Sequence, residues 1–319
     1  MNITFIGAGR WGLALAHSLG SSGHSVYLLS IDKAEAEQLN STHIHPFFPE
    51  VRFPDCVTMG EDEAKAKSFS EVAVLSLPAQ VCRTYLHEHP GLLDGKKVLL
   101  TGKGMVGDKV LTEELSEFLD DGACVLSGPS FANEVIEGKP TCVAIASKSH
   151  DNAAFFQSLF SKPSFRAYVS DDVKGLELCG ALKNVYALGA GYMERKLGSD
   201  DARAAYLTRA LHELARFVEN HGGRKETVYG LSGVGDLFMT CTSTLSRNFQ
   251  YGYHFGEEGY KTKGVAEGIY TLQNLIKAIP NIADELPIVA TIDAVMRKGI
   301  SFENALSALM GRTLKDENE

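Results

Sequence analysis

No two of the six cysteines (Cys56, Cys82, Cys124, Cys142, Cys179 and Cys241) form a C-x-x-C pair, and none lies near another in the chain. A disulfide framework or a zinc ribbon needs tighter grouping, so reduced, mostly buried thiols are expected, in a protein of the cytoplasm. Long uncharged apolar runs are also missing, which excludes a membrane-spanning helix. The opening MNITFIGAGRWG lacks the basic region, apolar stretch and cleavage site of a secretory leader. Positive charge is in deficit, with 31 Lys and Arg against 40 Asp and Glu. That balance argues against nucleic acid or an anionic membrane as the main partner. It leaves an anionic small substrate open, because the charge of a pocket is local. No internal repeat or low-complexity linker is present.

What the chain does have is enough apolar content for two compact domains, 44% of its 319 residues. Residues 2–6 read as a short buried strand, 7–12 as a glycine-rich turn, and 11–19 as a helix with Trp11, Leu15 and Leu19 at helical spacing. Further short apolar runs at 26–29, 71–77, 97–100, 124–126 and 142–146 suit buried parallel strands, with helices expected at 111–119 and 152–160 between some of them. Strands alternating with helices predict an α/β, Rossmann-like doubly wound sheet over residues 1–172. Beyond it the periodicity turns helical. Leu207, Ala210, Leu211, Leu214, Phe217 and Val218 form one apolar stripe, and 269–279 and 288–295 read as two more helices. An all-helical second domain over 173–319 is therefore expected, with a frayed charged tail at 315–319.

Gly7-Ala8-Gly9-Arg10-Trp11-Gly12 matches G-x-G-x-x-G between the first strand and the first helix. Small residues there let the backbone turn tightly and approach a pyrophosphate at a helix N-terminus. The pattern is weak alone, and its position at the head of an alternating α/β pattern is what favours dinucleotide binding over a plain turn. Asp32 lies 20 residues beyond Gly12, the count of an acid that binds the ribose 2′-hydroxyl of NAD. It reads equally as a helix cap, so the choice leans only slightly from NADP to NAD.

Lys183 and Asn184 sit in the middle of an apolar, glycine-spaced helix, LCGALKNVYALG at 178–189. A buried ammonium is costly unless paired, and burial lowers its pKa, which suits a general acid for a developing alkoxide. The alternative is a lysine that snorkels from a half-exposed helix. Lys103, between Gly102 and Gly104, follows a strand and so reaches the carboxyl edge of the sheet, where ligands bind. GPSFANE at 128–134 follows another strand and offers hydroxyl and amide donors. Asp236 stands between glycines in LSGVGDL at 231–237, and Ser246-Arg247-Asn248 joins a guanidinium to hydroxyl and amide donors, as a phosphate requires. Each of these stretches, taken singly, is also an ordinary loop.

GAGRWG, the GKG at 102–104, GPSFANE, LKNVYALGAG, LTRALHE, GVGDL, TCTSTLSRN and the VAEG at 265–268 follow in one order. That order and spacing resemble NAD(P)-dependent glycerol-3-phosphate dehydrogenase of the bacterial soluble type, over nearly the whole chain. The resemblance implies Lys183 as general acid/base with Asp236 as its polar partner. It implies that Lys103, Gly128, Ser130, Asn184, Ser246, Arg247 and Asn248 meet the substrate, dihydroxyacetone phosphate or glycerol 3-phosphate. It implies cofactor contacts, with NAD or NADP, from Gly7, Gly9, Arg10, Trp11, Gly12, Asp32, Lys103, Ala132, Arg247, Val265 and Glu267. It also implies a homodimer supplying glycerol 3-phosphate for phospholipid synthesis. Three positions depart from the family pattern. Arg10 replaces a small residue, and its side chain either reaches the pyrophosphate or points outward. Ile31 stands where histidine or arginine is common, and Asp201 replaces asparagine. Two rival readings share the same start: a dehydrogenase of 6-phosphogluconate or another β-hydroxy acid, and a dinucleotide-binding sensor without turnover.

Overall fold

The computed structural model describes residues 1–260, 266–313 and 316. Eight strands form one sheet: β1 (Asn2–Ile6), β2 (Ser25–Leu29), β3 (Val57–Gly60), β4 (Val72–Leu75), β5 (Lys97–Leu100), β6 (Cys124–Ser127), β7 (Thr141–Ala146) and β8 (Phe165–Ser170). Their order is β8-β7-β6-β5-β4-β1-β2-β3. Every neighbouring pair is parallel except β6 and β7, which run antiparallel. The chain leaves β1 toward β2 and β3, then returns to the other side at β4, so the order reverses between β1 and β4. In an open α/β sheet that reversal opens a crevice at the carboxyl ends of the strands.

Both faces of the sheet are covered, which is why its central strands read as continuous apolar runs. Ile3, Phe5, Val26 and Leu28 pack with Leu13, Leu15 and Leu19 of α1 (Arg10–Gly20) on one face. Ile6, Leu29, Ala73, Leu75 and Leu100 pack on the other, with Ala79, Cys82 and Leu86 of the later helix Ala79–Glu88.

From Val173 onward every regular element among the described residues is helical. The main helices after α1 are α2 (Lys33–Thr42), α3 (Ala79–Glu88), α4 (Ala132–Ile136), α5 (His150–Phe160), α6 (Val173–Leu197), α7 (Asp200–Asn220), α8 (Asp236–Thr242), α9 (Arg247–Tyr253), α10 (Glu267–Ala278) and α11 (Pro287–Met296). Asp172 caps α6 by accepting from Gly175 N at 2.9 Å, and Gly198 ends it in the left-handed conformation. Its middle is buried on all sides, which marks it as the central post of the helical half. No helix among the described residues is long and apolar enough to cross a membrane.

Two strands have no counterpart in the sequence reading. β3 and β8 are the two edge strands, and an edge strand needs only one apolar face. In β8 the residues alternate between buried and exposed at its start, so no continuous run marks it. The helix expected over 111–119 is a correction: only Leu111–Glu114 is helical. Beyond it the bonds tighten to i→i−3, from Ser116 N to Glu113 O and from Phe118 N to Leu115 O. A small hairpin, Ile44–His45 with Phe48–Arg52, also has no counterpart in the sequence pattern.

Candidate active site

The glycine turn lies at the sheet reversal. Gly7 has φ +98°, a left-handed value that a side chain would strain, and a Cβ there would come within 2.8 Å of the Ser76 carbonyl. A Cβ on Gly12 would stand 2.9 Å from both the Gly7 carbonyl and Ser76 Oγ, so α1 seats directly on the turn after β4. Gly9 differs. A Cβ there would meet nothing within 4 Å, so no part of the protein demands glycine at this position. The N-terminus of α1 has no side-chain cap and no acid in its first turn. An open, uncapped helix start with room above Gly9 fits the pyrophosphate of a dinucleotide. Trp11 packs partly buried against the core beside this turn.

At the rim of the turn, Arg10 stands against the small hairpin. Its guanidinium lies over the rings of Phe47 and Phe48 in the hairpin, 5.1 and 5.5 Å from their centroids, and Nη1 lies 3.4 Å from Asn133 Oδ1. Asp32 falls three residues past β2 and caps α2, its Oδ1 accepting from Glu35 N at 2.9 Å. The capping alternative is therefore realised, on one oxygen. Ile31 is 83% exposed beside it and brings no charge there. Ala132 opens α4 against the same core as α1.

The second centre is an array of three charges, with Asp236 and Lys183 buried and Lys103 partly so. Asp236 is the first residue of α8, entered through a π-helical turn at Leu231–Gly235, and is 0% exposed. Its Oδ1 accepts from Lys183 Nζ of α6 at 2.5 Å, and its Oδ2 accepts from Lys103 Nζ at 2.7 Å. Lys103 comes from the loop after β5, so the carboxylate joins the sheet half to the helical half. Burial alone would raise the Asp236 carboxyl, but the two ammonium groups outweigh it and hold it below the ordinary carboxylate range. Burial brings Lys183 down to about 8; Asp236 opposes this, and the like charge of Lys103 adds to it. Lys183 is only 6% exposed, so the buried, paired reading holds and the snorkelling alternative does not.

Secondary contacts hold these charges in register. Lys183 Nζ also donates to Thr240 Oγ1 at 3.0 Å, and Thr240 sits one turn beyond Asp236. The sequence reading assigns Thr240 no role; its i+4 spacing from the acid is the signal that could have found it. The Gly128 carbonyl accepts from Lys103 Nζ at 3.1 Å and from Ser130 Oγ at 3.0 Å, which brings GPSFANE to the same place. Asn184 Oδ1 accepts from Asn248 Nδ2 at 2.9 Å, and Asn248 Oδ1 accepts from Gly268 N at 3.0 Å. These two amides tie α6, α9 and the start of α10 together. Ser246 caps α9, accepting from Phe249 N at 3.2 Å, and leaves Arg247 exposed on the first turn. Burial raises the Glu267 carboxyl, opposed by the charges of Arg247, Lys183 and Lys103. Val265 lies outside the described residues. Asp201 is exposed in the first turn of α7, on a different helix from the cluster.

Known proteins carry the same arrangement of segments. Residues 2–153 match the family described as NAD-dependent glycerol-3-phosphate dehydrogenase N-terminus, and residues 172–307 match its C-terminus. A glycerol-3-phosphate dehydrogenase [NAD(P)+] of Staphylococcus epidermidis is 33% identical over 329 residues, covering 99% of both chains. One of Oceanobacillus iheyensis is 36% identical over 327 residues, covering 99% of this chain and 95% of the relative. The crystal structure of glycerol-3-phosphate dehydrogenase from Coxiella burnetii superposes with a TM-score of 0.90 at 29% identity, over 98% of this chain and 99% of that one. A doubly wound sheet, a glycine turn at its reversal and a full-length match on both halves lead to one assignment: the chain belongs to the NAD-dependent glycerol-3-phosphate dehydrogenase family.

Proposed function

We propose that the cleft between the sheet and the helices interconverts dihydroxyacetone phosphate and glycerol 3-phosphate, with Lys183 as the proton donor and acceptor at the C2 oxygen. When bound, the nicotinamide would supply the hydride to C2 or accept it. An ammonium has three donors, and two of those on Lys183 go to Asp236 and Thr240. The third is free for the substrate oxygen. Asp236 keeps the amine aimed, and its sharing between two lysines leaves the cluster with an excess positive charge beside a dianionic substrate. Arg247, exposed beside the half-buried Glu267, is the group for the phosphate, which anchors the substrate away from the reacting carbon. Asn184 and Asn248 brace that wall, and Ser130, Ser246 and Gly128 complete the substrate side. Gly7, Gly9, Gly12, Trp11, Ala132, Val265 and Glu267 hold the dinucleotide, NAD in preference to NADP. Residues 1–172 thus carry most of the cofactor contacts, and 173–319 carry the proton donor Lys183, its partner Asp236 and the phosphate group's Arg247.

The observation that carries this reading is the lysine–aspartate–lysine array, buried and shared by both halves. A sensor without turnover has no use for an amine brought down to about 8 beside a carboxylate. We read the protein further as a cytoplasmic homodimer that supplies glycerol 3-phosphate for phospholipid synthesis. The test is one parallel assay: dihydroxyacetone phosphate with NADH and with NADPH, following loss of reduced-cofactor absorbance. Oxidation of NADH faster than NADPH is expected. Failure of dihydroxyacetone phosphate alongside turnover of 6-phosphogluconate would defeat the substrate assignment.

A further inference from the structure

Lys103 belongs to the sheet half by its place in the chain, yet the helical half holds it. Beyond β5 the chain forms a hairpin, Met105–Val106 against Lys109–Val110, with Met105 opposite Val110 at its neck. Both neck residues are buried in the same core as Leu178 and Leu182 of α6. Asn274 of α10 donates to the Met105 carbonyl at 2.7 Å. The hairpin is therefore a peg of the sheet half set into the helical half, and Lys103 stands at its root.

Lys103 comes two residues before the neck and Thr112 two residues after it. The two legs pack together, for a Cβ on Gly102 would stand 3.2 Å from Leu111 Cδ2. Glu177 of α6 grips the second leg: Oε1 accepts from Thr112 N at 2.9 Å, and Oε2 accepts from Thr112 Oγ1. Glu177 is 6% exposed, so water does not replace these bonds when they are lost. It also lines one cavity of about 10 Å³ with Gly102, Lys103, Ser127 and Gly180. The carboxylate thus lies against the first leg while it bonds the second.

We infer that Glu177 is a positioning residue, holding the hairpin root so that Lys103 stays on Asp236. The inference rests on the reading of Lys183 as proton donor, because Lys103 bears on the reaction through the charge it places beside that amine. Asp236, Lys103, Glu267 and Cys241 are the charged or titratable groups that act on Lys183, and the like charge of Lys103 helps to bring it down to about 8. If Lys103 leaves, the pKa of Lys183 rises. Glu177 itself is lifted to about 7 by burial, opposed by Thr112 and Lys174 and aided by Glu113. Its protonated form still accepts from Thr112 N and donates to Thr112 Oγ1, so the grip outlasts its own titration. A role confined to capping the short helix Leu111–Glu114 would leave Lys183 untouched.

The test compares the full-length wild type with Glu177→Ala, Glu177→Gln, Thr112→Val and Lys103→Ala. It reads the pH profile of reductive kcat/KM and hydrogen exchange at the amides of residues 102–112. Glu177→Ala is expected to move the limb near pH 8 upward by about one unit and to speed that exchange about tenfold. Thr112→Val, which loses only the hydroxyl, should move both the same way by less. Glu177→Gln keeps both bonds through its amide and should match wild type in both. Lys103→Ala should move the limb by itself, and adding Glu177→Ala to it should move it no further. A limb that stays near pH 8 in Glu177→Ala while exchange quickens would reduce Glu177 to a helix cap and overturn the inference. So would a further shift in the double variant, or a Glu177→Gln that behaves as Glu177→Ala. A wild type without that limb would instead defeat the proton-donor reading, and the inference with it.

Discussion

The rim of the glycine turn and the Asp236 array differ in how a charge is held. At the rim Arg10 is spread over two phenylalanine rings, Asp32 spends an oxygen on a helix cap, and Ile31 stands in solvent. At Asp236 three charges meet with the carboxylate wholly removed from water. Water screens the first group and leaves each charge worth little, whereas the second lies where a missing partner cannot be replaced by solvent. On the proposed reading, function is divided by dielectric: backbone shape would hold the cofactor, and buried charge would do the chemistry.

The contrast is sharpest for Asp236→Asn, which leaves two buried ammonium groups facing each other. It should cost about 3–5 kcal/mol of stability, the usual effect of removing one partner of a buried pair, and abolish measurable turnover. Thermal unfolding and the reductase assay together check this. An unaltered melting curve would mean that the array is better hydrated than its burial implies. Lys183→Ala should lower turnover by about 10²–10⁴-fold, the range of a lost general acid, while Trp11 fluorescence still reports NADH binding. With Lys183 at about 8, the protonated amine is present below that pH and lost above it. Reductive kcat/KM should therefore fall as pH rises through about 8, and the oxidative direction, which needs the free amine, should rise over the same interval. A flat reductive profile between pH 6 and 10 would remove Lys183 as the titrating donor.

Arg247→Ala removes charge-assisted bonds to phosphate worth about 1.5–3 kcal/mol, so KM for dihydroxyacetone phosphate should climb roughly ten- to hundredfold with kcat less affected. An unchanged KM would take Arg247 out of the phosphate site. At the glycine turn, Gly9→Val should leave the melting temperature alone and weaken NADH by about tenfold or more, about 1.4 kcal/mol. Gly12→Ala should instead destabilise the fold by about 1–3 kcal/mol, because its methyl meets the Gly7 carbonyl. Equal effects of the two on stability would erase the distinction between room left for a ligand and room taken by the protein. Ile31→Arg is the mildest case. An exposed cation there should favour NADPH over NADH by no more than about fivefold, within the ~1 kcal/mol of a surface ion pair.

Much of this is legible in the chain itself, for reasons that differ by residue. The central strands can be read because both faces of the sheet are covered and their residues are apolar throughout. β8 cannot, since an edge strand alternates and resembles a loop. Asp236 and Lys103 stand out as charges set among glycines, and Lys183 as a lone cation in an apolar helix. Thr240 does not, because it is an ordinary polar residue whose meaning depends on Lys183, contributed by a distant segment. For Arg10 the sequence leaves two directions open, toward the pyrophosphate or outward. The hairpin that receives it has no strong local pattern, so its aromatic shelf emerges only in three dimensions.

Local pattern by itself determined the doubly wound half, the helical half, the glycine turn and the set of charged candidates, because periodicity, glycine spacing and isolated charge are properties of neighbouring residues. Only the folded structure decided that Lys103 and Lys183 share one carboxylate and that Asp32 caps a helix. Those facts depend on which distant segments are brought within about 3 Å. That distance is set by the packing of α6, α8 and α10 against the carboxyl edge of the sheet.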